Sequence, residues 1–357
     1  MKYWPLYILF IVCNACTDLL DLGKSESYTP NPSDQKAEMI TYCLLAPNRQ
    51  VEVKVHRTLA INEPLSTDSH ITNAKVNIID KTTNVIYPLL LVKETNKIND
   101  TKTEISYKYV NNQLYPEVGN QYILKVEAAG YKSSESEIEI PEAIQPEHME
   151  YELYSEANHP HLKMKCKVHF TDNELDKNYY MVLFDRQYKE VEKFNQTEEV
   201  TFSEITKNSS ITLDDPVFRF LPDKKTSIIE PFEITYLKPR IFNDEVINGK
   251  KYGLQFTLTQ FRKEYGTRYG DYSREELNGR EWEEHNTTLF TFRLLSINKD
   301  LFEFYRSSYL NDVVKGDIYS RQYPLYSNMS NHFGIFGAYS EKTLTIELPG
   351  SVNSRSN

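Results

Sequence analysis

Apolar and polar residues alternate with a period of two along much of the chain, which is the pattern of strands with one buried face. Glu38 to Leu45 reads as a first strand, and Val51, Val53 and Val55 then alternate with Glu52, Lys54 and His56. Ala74, Val76 and Ile78 alternate with Lys75 and Asn77, and the polar turn Asp80 to Asn84 leads into Val85 to Val92. Ile105, Tyr107 and Tyr109 alternate again. After the turn Gly119-Asn120, Tyr122, Leu124 and Val126 form a strand that ends at Ala129-Gly130-Tyr131. Ser136 to Ile140, closed by Pro141, is the seventh.

Seven short strands at this spacing predict a sandwich of the immunoglobulin type over 36–145. The immunoglobulin cysteine pair is missing, so a transthyretin- or fibronectin-like relative fits better. Pro141 to Pro146 (PEAIQP) reads as a stiff link to a second domain, 146–357. That domain opens on Leu162, Met164, Cys166, Val168 and Phe170, alternating with Lys163, Lys165, Lys167 and His169. Thr171-Asp172-Asn173 turns the chain into Tyr179 to Phe184. Further strands are predicted at Glu198 to Ile205, Ile211 to Leu213, Val217 to Phe220, Phe232 to Leu237, Lys250 to Gln260 and Thr288 to Ile297. The Lys250 strand follows the turn Asn248-Gly249. One helix is predicted, Lys299 to Asn311, capped by Asn298, with Leu301, Phe304, Tyr305 and Tyr309 near helical spacing. Gly334 and Gly337 suggest a close turn among the aromatics of Phe333 to Tyr339, before a last strand from Thr343 to Leu348. The expected fold is therefore mainly β: a sandwich followed by a larger β-rich domain with one helix.

The N-terminus breaks this pattern. Met1 and Lys2 precede an uncharged apolar run, Leu6 to Val12, and then Asn14-Ala15-Cys16. This is the layout of a secretory signal over 1–15, too short to span a bilayer as a stable helix. The small Ala15 suits cleavage before a lipid-modified Cys16, and several acyl chains on one residue anchor firmly. An ordinary cleaved signal with an incidental cysteine is the alternative. Thr17 to Pro32 is rich in Asp, Ser and Pro and unpatterned, so 16–35 reads as a flexible tether. The layout suggests an outer-membrane address, with the cell-surface face favoured over the periplasmic one.

Composition narrows the function classes. A formal charge of −10 disfavours a nucleic-acid binder and a polybasic membrane patch. Tyrosine is abundant, 26 against 12 glycines, in keeping with pleated, half-buried surfaces. With Cys13 in the signal and Cys16 as the lipid site, Cys43 and Cys166 are left. They fall in strands of different expected domains and read as two buried thiols rather than a disulfide.

Candidate chemistry is sparse. His159-Pro160-His161 with His169 is the one grouping with metal-ligand character, but Pro160 interrupts pairing and no third ligand has a distinctive spacing, so neither metal nor cofactor is expected. Asp214-Asp215 and Glu281 with Glu283-Glu284 read as solvated charge, because neighbours on a strand point to opposite faces. No nucleophile elbow, zinc-protease helix motif or phosphate loop is present, so no catalytic residues are assigned. The best binding candidate is the polar stretch Phe261 to His285, where Tyr265, Arg268, Tyr269, Tyr272 and Trp282 offer aromatic area and directional donors. The alternative is that these tyrosines pack back on their own sheet.

Several segments, in order, resemble a family of lipoproteins from Bacteroidota-type bacteria known as domain of unknown function 4249. They are ITNAKVNIID, YPEVGNQYILKVEAAGY, IEIPEAI, FTDNELDKNYYMVLF, FNDEVINGKKYGLQFTL and LYSNMSNHFGIFGAY. In the last, His332 stands where the family pattern has glycine. The resemblance spans most of the chain and carries no established activity or site residues. It implies a partner of TonB-dependent outer-membrane receptors, so the expected role is a non-catalytic accessory or ligand-capture lipoprotein. A structural or adhesive lipoprotein and a surface hydrolase are the other readings.

Overall fold

A computed structural model of the chain describes residues 36–60, 63–64, 67–97, 103–155, 162–174, 177–194, 197–207, 211–213, 215–218, 240–258, 282–314, 324–348 and 352–355. The expected signal, Cys16 and the tether lie outside these residues, as do Phe232 to Leu237. The chain divides into two compact units, Met1–Ala37 with Thr58–Asp68, and Glu38–Arg57 with Ser69–Asn357. In the smaller one, a turn is closed by the Glu63 amide on the Ala60 carbonyl at 2.9 Å, while the Glu63 carboxylate accepts the Ala60 amide at 2.8 Å. The larger one holds the fold described below.

The architecture is mainly β, as the alternation predicts. All seven strands expected before Pro141 are present: β1 (Met39–Leu45), β2 (Val51–Arg57), β3 (Lys75–Asp80), β4 (Val85–Lys97), β5 (Thr103–Asn111), β6 (Gln121–Glu127) and β7 (Ser134–Glu139). Strand β4 is longer than its apolar run. Its first part, Val85 to Leu89, pairs with β3, and Leu90 to Lys97 pairs with β5. A strand that changes partner midway makes a corner between two layers. The layers enclose a core that includes Val51, Val53, Val76, Ile78, Tyr122, Leu124, Val126 and Cys43. Turns fall where the sequence places permissive residues, with positive φ at Asn84, Gly119 and Gly130.

The same core contains Phe336 and Ala338 from the far end of the chain. They lie on β16 (Gly334–Leu348), whose first residues pair in parallel with β1, from Thr41 opposite Gly334 to Leu45 opposite Ala338. Parallel partners need a long connection, and here nearly the whole chain supplies it. The close turn expected at Gly334 and Gly337 is absent: both lie within one continuous strand that also absorbs Thr343 to Leu348. The glycines instead allow close approach. A β-carbon on Gly337 would come 3.0 Å from both Leu301 and Leu44.

Ile140 belongs to the first core, and Ile144, four residues on in PEAIQP, packs against a second one. There a four-stranded sheet, ordered β12-β14-β9-β8, comprises β8 (Pro146–Ser155), β9 (Leu162–Thr171), β12 (Ile211–Thr212) and β14 (Lys251–Leu258). Its apolar face meets the long pair β10 (Tyr179–Phe194) and β15 (Trp282–Ile297). Met164, Cys166, Val168 and Phe170 point inward as their alternation predicts, and Phe184 stands edge-on to Phe256 at 4.7 Å between ring centres. The large sheet continues through β16 into β1 and the first layers. β11 (Thr197–Lys207) lies at its other edge, with β13 (Ile241–Asn243) on β10 and β17 (Val352–Arg355) on β15.

Two further expectations change. The sequence predicts a strand over Val217 to Phe220, but 219–220 lie outside the described residues and Pro216–Phe218 form a 3-10 turn that buries Val217 and Phe218. Its register is set by Asp215, whose carboxylate accepts the Val217 amide at 3.0 Å. Strand β15 begins at Trp282 rather than Thr288, so the end of the polar stretch is extended backbone. The helix α1 (Lys299–Val314) starts where expected. The Asn298 side-chain oxygen caps the Leu301 amide at 3.3 Å, and Leu301 and Phe302 are buried against Ile241, Leu295 and Ile335. No helix among the described residues is long and apolar enough to cross a membrane.

Candidate functional site

The polar face of the four-stranded sheet carries a row of charged, histidine and tyrosine side chains. On β8, His148, Glu150, Glu152 and Tyr154 lie two apart and so share a face. Across the ladder, His148 opposes His169, Glu150 opposes Lys167, Glu152 opposes Lys165 and Tyr154 opposes Lys163. Two of the three lysines, Lys165 and Lys167, thus face acids, and the third faces Tyr154, whose ring centre lies 5.0 Å from the Lys165 ammonium.

One end of this row is different. The His148 and His169 rings stack nearly parallel, 4.4 Å apart. Glu150 Oε1 lies 3.3 Å from His169 Nε2 and 3.8 Å from His148 Nε2. His169 Nε2 is buried and makes no hydrogen bond. Gly253 opposes His169 on β14, and a β-carbon there would meet Lys167 Cε at 2.4 Å and His169 Cε1 at 3.2 Å. The missing side chain leaves room for both groups to lie across that strand. His169 was recognisable in the sequence, but with His159 and His161, which lie outside the described residues. His148 carries no local signal, because only the β8–β9 register brings it to His169.

Of the binding residues expected from the sequence, Tyr265, Arg268, Tyr269 and Tyr272 lie outside the described residues. Trp282 is the first residue of β15, and its backbone pairs with Phe194 and Arg355.

The buried carboxylates are engaged in holding loops. Asp214 and Glu281 lie outside the described residues, and Glu283 and Glu284 fall in β15. Asp215 is buried rather than solvated: it accepts the Tyr252 hydroxyl at 2.5 Å and the amides of Gln255 and Val217 at 2.7 and 3.0 Å. Asp172 accepts the Gly249 amide at 2.8 Å and the Tyr180 hydroxyl. Burial pushes the Asp172 carboxyl above its ordinary range, against these hydrogen bonds, and pushes the Tyr180 phenol up further, aided by Asp172. Asp244 accepts the Asn178 amide at 2.6 Å. Each of these three acids is held by neighbours in the fold, which suits a structural clamp better than proton transfer.

A second surface feature is apolar. Ile86, Pro88, Leu90 and Val92, spaced by two on β4, are all exposed, with Leu90 72% and Ile86 60% accessible. The stripe ends in charge, where Lys108 bridges Glu52 and Glu94 at 2.5 and 2.6 Å. Contiguous exposed apolar residues mark interaction surfaces more often than isolated ones do.

No curated protein gives a match to the chain. A family model does match, over residues 25–345, and takes in both sandwiches, α1 and the polar face of β8 and β9. By that match the chain belongs to the family described as Domain of unknown function (DUF4249).

Proposed function

We propose that the chain is an outer-membrane lipoprotein that acts without chemistry of its own, docking on a TonB-dependent transporter and helping it capture cargo. The address rests on the leader ending at Cys16, and the partner on the resemblance to the lipoprotein family. The observation that carries the docking role is the stripe Ile86, Pro88, Leu90 and Val92. It offers an apolar stripe of at most about 20 Å at strand spacing, running over the corner of β4 and rimmed by the Lys108 ion pairs. Such a stripe suits burial against another folded surface.

The test is cross-linking and affinity purification of the tagged lipoprotein from gently solubilised outer membranes. A stoichiometric transporter, cross-linked near β4 and lost on Leu90→Asp, is expected. Recovery of the lipoprotein alone, under conditions where cross-linking is efficient, would overturn the docking role.

A further inference from the structure

We propose that His148, Glu150 and His169 form a three-ligand site for a divalent transition-metal cation, with Zn2+ the best match, and a fourth position open to solvent. The donor set is two imidazole nitrogens and one carboxylate oxygen, all within 4.8 Å of one another. Imidazole and carboxylate together suit Zn2+, Ni2+ and Cu2+, whereas Ca2+ and Mg2+ prefer oxygen alone.

The distances fit with little rearrangement. Bonds of about 2.0–2.2 Å in a tetrahedral site put the donors roughly 3.3 Å apart. Glu150 Oε1 is already 3.3 Å from His169 Nε2 and 3.8 Å from His148 Nε2. The remaining closure, between the two imidazoles, needs a rotation of the exposed His148 ring about its own side-chain bonds. His169 cannot turn away so easily, since its side chain is largely buried against the gap left by Gly253.

His169 Nε2 supplies the independent reason. A buried ring nitrogen without a hydrogen bond is costly, and the Glu150 oxygen beside it does not meet it with hydrogen-bond geometry. A cation between them would satisfy both atoms. Backbone register also fixes the ligands before any metal arrives, with His148 facing His169 and Glu150 two residues on. The cost of organising the site is therefore low. Because the His148 and Glu150 side chains are exposed, the open position faces solvent, where water or a donor from a partner would complete the coordination.

The test is calorimetric titration of ZnCl2 into chelator-treated full-length protein at neutral pH, with His159→Ala/His161→Ala protein as a control for the other histidine pair. One equivalent should bind both proteins. His148→Ala and Glu150→Gln should each weaken binding by at least about tenfold. Both substitutions are at exposed positions, so their metal-free melting temperatures should match the parent, while the rise in melting temperature caused by Zn2+ is lost. Retention of parental affinity in both variants, or loss of all binding in the His159/His161 control, would overturn the site.

Discussion

Gly334 lies against the backbone of Thr41 so closely that a β-carbon would sit 1.9 Å from the Thr41 carbonyl oxygen. Its φ of +99° is also one that side-chain-bearing residues rarely adopt. Both conditions come from the parallel pairing of β16 with β1. Gly334→Ala should therefore destabilise by at least about 3 kcal/mol, since the strand would have to shift or the backbone change region. Denaturant titration would measure this, and an unchanged midpoint would mean that the two strands do not meet as described.

Two residues earlier, His332 has a φ of +67°, in the left-handed region. This gives a physical reason to expect glycine at this position. A β-branched residue should be worse than histidine by roughly 1–2 kcal/mol, and glycine should be neutral or stabilising. Comparing the melting temperatures of His332→Val and His332→Gly would decide it, with the opposite order counting against the backbone explanation.

Asn298 joins two elements through one atom. Its side-chain oxygen accepts the Leu301 amide that starts α1 and, at 3.0 Å, the Ala338 amide of β16. Asn298→Ala removes a cap and orphans a strand amide together, for an expected loss of about 1–3 kcal/mol. Asn298→Asp keeps the acceptor, and its midpoint should stay much closer to the parent.

Seven tyrosines, Tyr109, Tyr122, Tyr179, Tyr180, Tyr305, Tyr326 and Tyr339, have phenols raised above the ordinary value, in each case chiefly by burial. Asp172 adds to the effect at Tyr180, and Asp300, 2.5 Å away, at Tyr326. The folded chain keeps these protons where the unfolded chain releases them, so this contribution to stability is complete below about pH 10 and declines above it. Unfolding midpoints measured from mildly to strongly alkaline pH should fall along that limb. The phenolate absorbance of these seven should appear at higher pH in the folded chain than in the unfolded one.

The thiols should behave alike for the same reason. Burial pushes Cys166 up to about 12 and Cys43 higher still, and both are free. In a Cys13→Ser, Cys16→Ser chain, neither should react with a thiol reagent at mildly alkaline pH until denaturant is added. Fast labelling of the folded chain would show that one of the cores opens.

Local periodicity carried most of the strands, because a half-buried strand writes its pattern into adjacent residues. Leu162 to Phe170 is the clearest case, with the inward set Met164, Cys166, Val168 and Phe170 readable in advance. The pairing of Thr41 with Gly334 was not readable, since nothing near either residue names a partner from the other end of the chain. The histidine pair failed in the same way. His169 was visible, but His148 becomes its neighbour only through a register that shifts at the bulge between Pro146 and His148. Phe333 to Tyr339 misled because glycine signals a turn and a tight backbone contact equally well.

The strand that completes the first sandwich is among the last to be made. Phe336 and Ala338 belong to that core, and Asn331 donates to the Met39 carbonyl across 292 residues of sequence. A chain made from its N-terminus would hold an unfinished sandwich, with one side of β1 unpaired, until its C-terminal segment followed. Folding of this sandwich should therefore be slow, with a partly formed intermediate that waits for β16. Cleavage or early termination before β16 would then expose the first core rather than release a viable fragment.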